Sequence, residues 1–334
     1  MKALFLIIGF IFTGPVTCLA GDNIGNGAGQ AEQTIISTWK NLDKFINFCL
    51  NDTFCESNQT DKLALEKIKA IVLKEQLLPV SDLFIFTTAK LQNEPTFFYI
   101  DGILKMAKTG LFTGAPIYFD LDQLYTHRSP TIVESLSLTD AIDILIHEVG
   151  HHTGMVDHIF LGSLGAKVAG VAGKYIEEAR LFSHSDEIKL TVINPSTNRG
   201  FPLVLLQVFG DTINLSQQIQ DQLVCNGEIS HLFSEQKPYG VQFFNLYWPV
   251  KEMRAGGNDN LKLEVKGHLA LYCDPDENNW STQKSHILNI KFHIKQKQTK
   301  SKKWWKLDSG DIKIKHKLEP FWFLFKYPDL VNPS

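Results

Sequence analysis

Two histidines and a glutamate near the middle of the chain have residue types and a spacing that can do chemistry. His147, Glu148 and His151 form the pattern HExxH. Residues four positions apart lie on the same face of a helix, so both imidazoles can reach one metal ion. Zinc accepts neutral imidazole nitrogen, and it lowers the pKa of a bound water to roughly 7. Glu148 would then accept a proton from that water. The pattern predicts a zinc site with Glu148 as general base.

The residues after the second histidine extend this pattern. The chain continues as HTGMVDH, and a glycine at position 154 can adopt the positive φ of a sharp turn that returns the chain to the metal. The span His147–Asp157 resembles the long zinc signature of the metzincin metallopeptidases, HExxHxxGxx followed by a third ligand. Asp as that ligand is similar to the snapalysin peptidases. The resemblance implies a zincin-like fold, zinc bound by His147, His151 and Asp157, and Glu148 as general base and proton donor.

Three other residues compete with Asp157 for the third ligand position. His158 is the commoner kind of zinc ligand, but it lies one residue past the family position. Glu177 and Glu178 fall in a second predicted helix, Leu161–Phe182, which is how the gluzincin peptidases supply a glutamate. We prefer Asp157 because it matches the family pattern.

Two further metzincin features are assigned by analogy or are missing. Metzincins place a methionine in a tight turn beneath the zinc, whereas here Met155 lies inside the motif and Met253 is far along the chain, so no Met-turn is identified. In that family an edge strand before the active-site helix pairs with the substrate backbone. Ala115–Leu121 is the predicted strand for that role. His152 is expected to flank the cleft and not to bind the metal, because adjacency to His151 points it elsewhere on the helix.

The motif requires a helix, and the local sequence predicts one. Ser137 offers an N-cap oxygen, and the residues that follow carry one apolar stripe at helical spacing, Ile142, Leu145, Ile146 and Val149. We expect the helix to end at Gly154. A second helix is predicted over Leu161–Phe182, where small residues permit close packing against a neighbouring helix: Gly162, Gly165, Ala166, Ala169 and Gly173.

The wider pattern predicts an α+β protein with two parts. Helical spacing recurs over residues 35–46 and 65–72, and strands are predicted at Leu83–Thr87 and Thr96–Ile100. After about residue 194 the pattern becomes mostly antiparallel β, with predicted strands at 243–250, 261–272, 286–294 and 312–316. We expect a zincin-like catalytic domain over residues 21–195 and a mostly β accessory domain over residues 196–334.

The first twenty residues predict export. Lys2 precedes a short apolar run, and Cys18 and Ala20 place small residues at the −3 and −1 positions of a cleavage site, as in a secretory signal peptide. The run is too short to span a bilayer, and no later stretch is long enough, so no transmembrane segment is expected. The predicted location is secreted or periplasmic, with residues 1–20 removed.

Four cysteines remain after that cleavage: Cys49, Cys55, Cys225 and Cys273. An even number in an exported protein favours disulfides. Cys49–Cys55 would close a short loop, and Cys225–Cys273 would join two points of the second half. The sequence leaves the other two pairings open. A four-cysteine zinc site is disfavoured because no Cys-x-x-Cys spacing occurs.

Charge and composition restrict the partners. The 334 residues carry a formal net charge of −3 and are 44% hydrophobic, which excludes a disordered chain and argues against nucleic acid as partner. The lysine-rich span Lys291–Lys317 can contact anionic surfaces weakly, or it can protect the edge of a sheet, which is the preferred interpretation. The oligomeric state is not predicted.

These patterns together predict an exported zinc metalloendopeptidase acting on a peptide or protein substrate. The alternative hypothesis is an envelope or extracellular binding protein with a zincin fold, in which the metal is structural or vestigial and the β region binds a partner. That alternative predicts that residues 200–334 fold on their own.

Overall fold

The computed structural model describes residues 29–51, 55, 57–129, 132–183, 186–197, 199–208, 211–225, 237–249, 260–273, 283–298, 303–306 and 312–318. The predicted signal peptide, Met253 and the C-terminal residues 319–334 lie outside these ranges. The described chain is α+β, as the sequence predicted, and its helices are concentrated in the first half.

The first half contains most of the helices. They are α1 (Gln30–Trp39), α2 (Leu42–Asn51), α3 (Gln59–Glu75), α4 (Val80–Leu83), α5 (Leu138–His152) and α6 (His158–Gly173); α7 (Ser216–Gln222) follows later. Their apolar faces meet in one buried cluster to which α5 contributes Ala141, Ile142, Leu145, Ile146 and Val149. The apolar stripe predicted for the helix that carries the HExxH motif is therefore its core face. No described helix is long and apolar enough to cross a membrane.

A three-stranded sheet and two hairpins lie between α4 and α5 in the chain. The strands are β1 (Phe84–Thr87), β2 (Tyr99–Ile100), β3 (Ile103–Leu104), β4 (Ala107–Lys108), β5 (Ile117–Asp120), β6 (Tyr125–Ser129) and β7 (Ile132–Ser135). The sheet has the order β1-β5-β4, with β1 parallel and β4 antiparallel to the central β5. The hairpins are β2–β3 and β6–β7. Strand β4 is thus an edge of the small sheet.

Two antiparallel sheets make up the second half. The first has the order β11-β10-β9-β8, with β8 (Ile176–Ser183), β9 (Asp186–Ile193), β10 (Leu203–Val208) and β11 (Asp211–Asn214). The second has the order β12-β13-β14-β15, and β16 also pairs with β14; its strands are β12 (Gly240–Tyr247), β13 (Asn260–Tyr272), β14 (Gln283–Gln298), β15 (Lys303–Lys306) and β16 (Ile312–Leu318). A second buried cluster contains side chains from both sheets and from α7.

The predicted helix Leu161–Phe182 is wrong beyond Gly173. Helix α6 ends there, and the chain continues as strand β8, which pairs with β9. Glu177 and Glu178 therefore lie on a strand and not on a helix. Side chains in this segment alternate between two faces, as in a strand. Ala179 and Leu181 face the buried cluster, while Glu178 and Arg180 face the other way.

The predicted domain boundary at residues 195 and 196 falls within a sheet. Strands β9 and β10 pair across it, with Leu203 opposite Ile193 and Val208 opposite Ile188. Residues before the boundary, from Ala179 onward, belong to the same buried cluster as the later strands. The four-stranded sheet therefore continues from one predicted domain into the other.

Both disulfides predicted from spacing are present. Cys49 and Cys55 are bonded with a Cα–Cα distance of 5.1 Å, which joins the end of α2 to the segment before α3. Cys225 and Cys273 are bonded with a Cα–Cα distance of 5.9 Å, which joins the segment after α7 to the end of β13. Within Lys291–Lys317, strands β14 and β15 form the antiparallel hairpin expected of a protected sheet edge.

Candidate metal centre

Helix α5 begins where the sequence indicates and carries three residues of the motif. The Ser137 hydroxyl accepts a hydrogen bond from the backbone N–H of Asp140 at 3.0 Å, which satisfies one free donor of the first turn. Because the apolar stripe faces the core, the remaining face places His147, Glu148 and His151 in a cleft of about 200 Å³. The helix is thus held in place by its cap and by its core face. The three motif residues line one common cleft.

A glycine turn returns the chain to this cleft after α5 ends. Gly154 has a φ of 84°, a conformation that glycine adopts without steric cost. Its backbone N–H donates to the His151 carbonyl at 2.9 Å, and the His151 imidazole Nδ1 lies 2.7 Å from the Met155 carbonyl oxygen. The sequence predicted this turn from the glycine, and the structure confirms it.

The residues that the turn brings back differ from the preferred prediction. The Asp157 carboxylate accepts a hydrogen bond from the Phe160 backbone N–H at 3.0 Å, and Asp157 is thereby the N-cap of α6. His158, the first residue of α6, instead joins the two histidines of α5. Its Nδ1 lies 3.1 Å from His147 Nε2.

Three imidazole nitrogens converge on one point. One ligand atom from each of His147, His151 and His158 lies within 4.8 Å of the other two. In a tetrahedral zinc site with bonds of about 2.0–2.1 Å, two ligand atoms are separated by roughly 3.3 Å. The observed separation of 3.1 Å between His147 and His158 is close to that value. The group can therefore hold a metal ion with small adjustments of its rings.

The surroundings of the two imidazoles on α5 keep them in the neutral form that binds metals. Burial, together with the neighbouring His151 and His158 and the charge of Lys105, lowers the pKa of His147 to about 4. Burial also lowers the pKa of His151. At neutral pH both rings are neutral, and a His151 Nδ1–H that donates to the Met155 carbonyl leaves Nε2 with its lone pair toward the cleft.

Glu148 lies beside the cluster with an uncompensated carboxylate oxygen. The residue is 6% exposed, and among the described residues its Oε2 has no hydrogen-bond partner. Burial raises the pKa of its carboxyl to about 8, and the positive charge of Lys105 opposes that rise. A carboxyl group with a pKa near neutrality is suited to accept and return a proton.

The opposite wall of the cleft is strand β4 and not the predicted Ala115–Leu121. Strand β5 occupies that span and is paired on both sides, by β1 and by β4, so it has no free edge for a substrate. Ala107 and Lys108 of β4, followed by Thr109, line the cleft. The sequence missed β4 because a two-residue strand carries no measurable alternation.

Glu177 and Glu178 are engaged elsewhere. The Glu178 carboxylate pairs with Arg180 at 2.8 Å and lies 4.0 Å from the Lys189 ammonium. Lys189 and Arg180 lower the pKa of Glu178 although burial acts in the opposite direction. Glu177 accepts backbone hydrogen bonds from Leu246 and Asn245 while burial raises its pKa. Neither carboxylate belongs to the three-histidine group.

His152 does not flank the cleft as expected but joins two elements behind it. The side chain is fully buried, and its Nδ1 lies 2.8 Å from Glu75 Oε1 of α3. Its Nε2 lies 2.8 Å from the Thr109 hydroxyl, directly after β4. Glu75 also accepts a hydrogen bond from the Gly114 backbone N–H at 2.6 Å. These bonds fix the end of α5 relative to the wall opposite it.

Comparison of the chain with protein-family models, with curated proteins and with solved structures finds no match.

Proposed function

We propose that this protein is an exported zinc-dependent metallopeptidase with a metzincin-like site. The observation that carries the proposal is that three imidazole nitrogens and a buried carboxylate oxygen, which has no partner among the described residues, meet at a single cleft. Metal ligands alone would also suit a structural site. A structural zinc site, however, closes its coordination sphere with protein ligands, whereas this group supplies three and opens to a cleft.

In this proposal His147, His151 and His158 hold the metal, and Asp157 caps the helix that carries His158. The Asp157 carboxylate is already used by the Phe160 N–H, and imidazole is a common zinc ligand. This ligand set departs from the metzincin signature by one position. A bound zinc ion supplies Lewis-acid chemistry, which polarises a carbonyl group and makes hydroxide available near neutral pH.

The residues of the chain then have separate roles. Glu148 Oε2 takes a proton from the attacking water as it adds to the scissile carbonyl, and the same oxygen delivers that proton to the departing amine. The edge strand β4 aligns the substrate by backbone pairing, since it is paired on one side only. The buried Glu75–His152–Thr109 contacts hold β4 and α5 at a fixed separation.

Export is supported by two independent features. The chain contains two disulfides, which persist in oxidising compartments, and its first twenty residues have the layout of a signal peptide. We place the protein outside the cytosol on these grounds.

Metal content and peptide cleavage test the mechanism. Protein purified without chelators should contain about one zinc per chain. Glu148→Gln should retain that zinc and lose peptide hydrolysis, because the amide can neither take nor return the proton. Full hydrolysis by Glu148→Gln, or wild-type protein free of tightly bound metal, would contradict the proposal.

A matched pair of variants tests the third ligand. His158→Ala should lower zinc affinity by at least about tenfold, since it removes a direct ligand. Asp157→Asn should leave zinc affinity nearly unchanged, because asparagine is an equally good N-cap. The opposite result, with zinc lost in Asp157→Asn and kept in His158→Ala, would restore the ligand set of the metzincin signature.

A further inference from the structure

The proposed catalytic cleft contains a lysine for which the chemistry of bond cleavage gives no role. The charged or ionisable side chains that line it are those of Lys105, Lys108, Glu148 and the three histidines. The Lys108 ammonium lies 3.4 Å from the centre of the Phe97 ring and donates to the Phe97 carbonyl. Within the described part of the chain, the Lys105 ammonium has no hydrogen-bond or ion-pair partner. It is therefore available to a ligand.

Lys105 is held close to the reacting groups. It lies between β3 and β4, and its backbone N–H donates to the Phe98 carbonyl at 2.8 Å. It lines the same cleft of about 200 Å³ as His147 and Glu148, so its ammonium lies near both of these groups. Strand β4, which begins two residues later, is the wall along which an extended peptide would lie.

The remaining lining restricts the ligand further. Glu148 is the only acidic side chain among the described residues that line the cleft, so a bound cation would leave the cleft positively charged. The other side chains of the lining include Ile100, Leu111 and Val156, which are apolar. A ligand suited to this surface has a negative group at Lys105 and aliphatic groups beside it.

We infer that Lys105 binds a carboxylate of the substrate, so that the enzyme selects peptides with a negative charge next to the scissile bond. This inference rests on the proposed peptidase function and names its substrate class. The carboxylate has two sources, an aspartate or glutamate side chain or the free C-terminus of a peptide. Both present the same acceptor to an ammonium donor.

Peptide binding tests the inference without catalysis. The protein for this measurement is the zinc-loaded Glu148→Gln variant, titrated into fluorescent peptides with aliphatic residues. One peptide has a glutamate and an amidated C-terminus, one has a neutral sequence and a free carboxyl end, and one is neutral and amidated. We expect at least one of the first two peptides to bind about tenfold more tightly than the third, as one charge-assisted hydrogen bond allows.

Substitution of the lysine should remove that preference selectively. Adding Lys105→Met should weaken the preferred peptide by about tenfold and leave the neutral amidated peptide unchanged, and Lys105→Arg should keep most of the preference. Lys67→Met, an exposed lysine of α3, is the matched control and should change nothing. Equal weakening of all three peptides by Lys105→Met, or no preference before substitution, would overturn the inference.

Cleavage of the same peptides by wild-type protein separates the two proposals. Cleavage that ignores the carboxylate, and is unchanged by Lys105→Met, would refute the role of Lys105 and leave the peptidase function intact. If the zinc-loaded protein neither binds nor cleaves any of the peptides, both proposals fail together.

Discussion

Glu148 illustrates at the scale of one residue how the proposed catalytic base is held at the expense of stability. A carboxyl group in a core is ordinarily paired or hydrogen-bonded, because burial of an uncompensated charge is unfavourable. Glu148 is 6% exposed, and its Oε2 is unpaired among the described groups. Such an oxygen readily accepts a proton, which suits it to act as a general base. The same property makes it unfavourable in the metal-free folded state.

The stability of metal-free protein should therefore depend on pH through Glu148. Burial raises its pKa from 4.5 to about 8. A raised pKa in the folded state gives a contribution that is complete below the unfolded value of 4.5 and is lost as the pH rises to about 8. Each pH unit between these two pKa values lowers the free energy of unfolding by about 1.4 kcal/mol. Glu148→Gln should thus be more stable than wild type by a few kcal/mol at pH 8.5, and nearly equal at pH 4.5.

Urea unfolding in the presence of a chelator measures this difference. Glu66→Gln, on the exposed side of α3, is the matched control and should follow wild type at both pH values. A constant difference between Glu148→Gln and wild type across the range would mean that the carboxyl is not buried as described.

The identity of the third ligand shows what the residue pattern can and cannot determine. His147, Glu148 and His151 were found from spacing alone, because helix geometry relates positions four apart. Asp157 and His158 follow a turn, where no period relates one residue to the next. Helix α6 begins at His158, and its first N–H groups compete for the Asp157 carboxylate. The sequence does not reveal that competition.

At the scale of elements, the centre depends on how closely α5 and α6 approach, since they supply different ligands. A Cβ atom at Gly165 of α6 would lie 2.6 Å from the Asp143 backbone oxygen and 2.1 Å from its Oδ1. The first contact is with the backbone of α5 and cannot be relieved by rotating a side chain. The small residues seen in the sequence therefore do permit close packing of the two helices.

Gly165→Ala should separate the two helices and weaken metal binding. Because His158 lies on α6 and the other two histidines on α5, we expect zinc affinity to fall by about tenfold or more, together with the free energy of unfolding. Gly170→Ala in the same helix is the matched control. No atom lies within 4 Å of its added Cβ, so it should keep zinc affinity and gain roughly 1 kcal/mol from helix propensity. Calorimetric titration measures the zinc affinity of each variant, and urea unfolding measures its stability. Equal zinc affinity in the two variants would refute the role of helix spacing.

The end of α6 and the start of β8 were not predicted from the sequence, and this error has a physical cause. The segment from Leu161 to Phe182 is rich in apolar and small residues, and helix and strand periods fit a short apolar run equally well. Glu177 and Glu178 then seemed to continue a helix, whereas pairing with β9 makes them part of a strand. The alternation from Glu178 to Leu181 is a local sign of a strand, but it is too short to outweigh the preceding helical pattern, and pairing with β9 decides the segment.

At the scale of the whole molecule, the four-stranded sheet connects two different interiors. On β9, Ile188, Leu190 and Val192 belong to the apolar cluster shared with the five-stranded sheet. The alternate residues Glu187 and Lys189 are also buried, but they face polar partners. The sheet is therefore apolar on one face, whereas its other face, the ionic face, combines buried charged side chains with Ile176, Ile193 and Leu203, which pack against the helical cluster.

The ionic face contacts the helical half of the protein. The Lys189 ammonium, fully buried, donates to the Thr34 hydroxyl of α1 at 2.9 Å. Arg180 of β8 pairs with Glu134 of β7 at 2.9 Å and with Glu178 of its own strand at 2.8 Å. Buried charges of this kind add little net stability, since desolvation offsets their attraction. If the two halves are separated, water can solvate the charged side chains that lie between them.

This arrangement predicts where the chain can be divided. A fragment of residues 200–334 lacks β8 and β9 and so loses the buried side chains Ala179, Leu181, Ile188, Leu190 and Val192. At roughly 1.5–3 kcal/mol for each large aliphatic side chain, the loss is on the order of 10 kcal/mol, comparable with the stability of a typical domain. It also leaves β10 with an unpaired edge. A fragment of residues 175–334 keeps the sheet and exposes the face that carries its charged side chains together with Ile176, Ile193 and Leu203.

We therefore expect residues 175–334 to unfold cooperatively in urea and residues 200–334 to lack a cooperative transition. Far-ultraviolet circular dichroism and the dispersion of amide signals in nuclear magnetic resonance spectra measure the difference. Lys189→Met in the longer fragment is a useful control, because a lysine that has become solvated should tolerate substitution, whereas in the full chain the same change removes a buried charge partner of Glu178. Cooperative unfolding of residues 200–334 would instead mean that the later strands form an independent unit, as the binding-protein hypothesis requires.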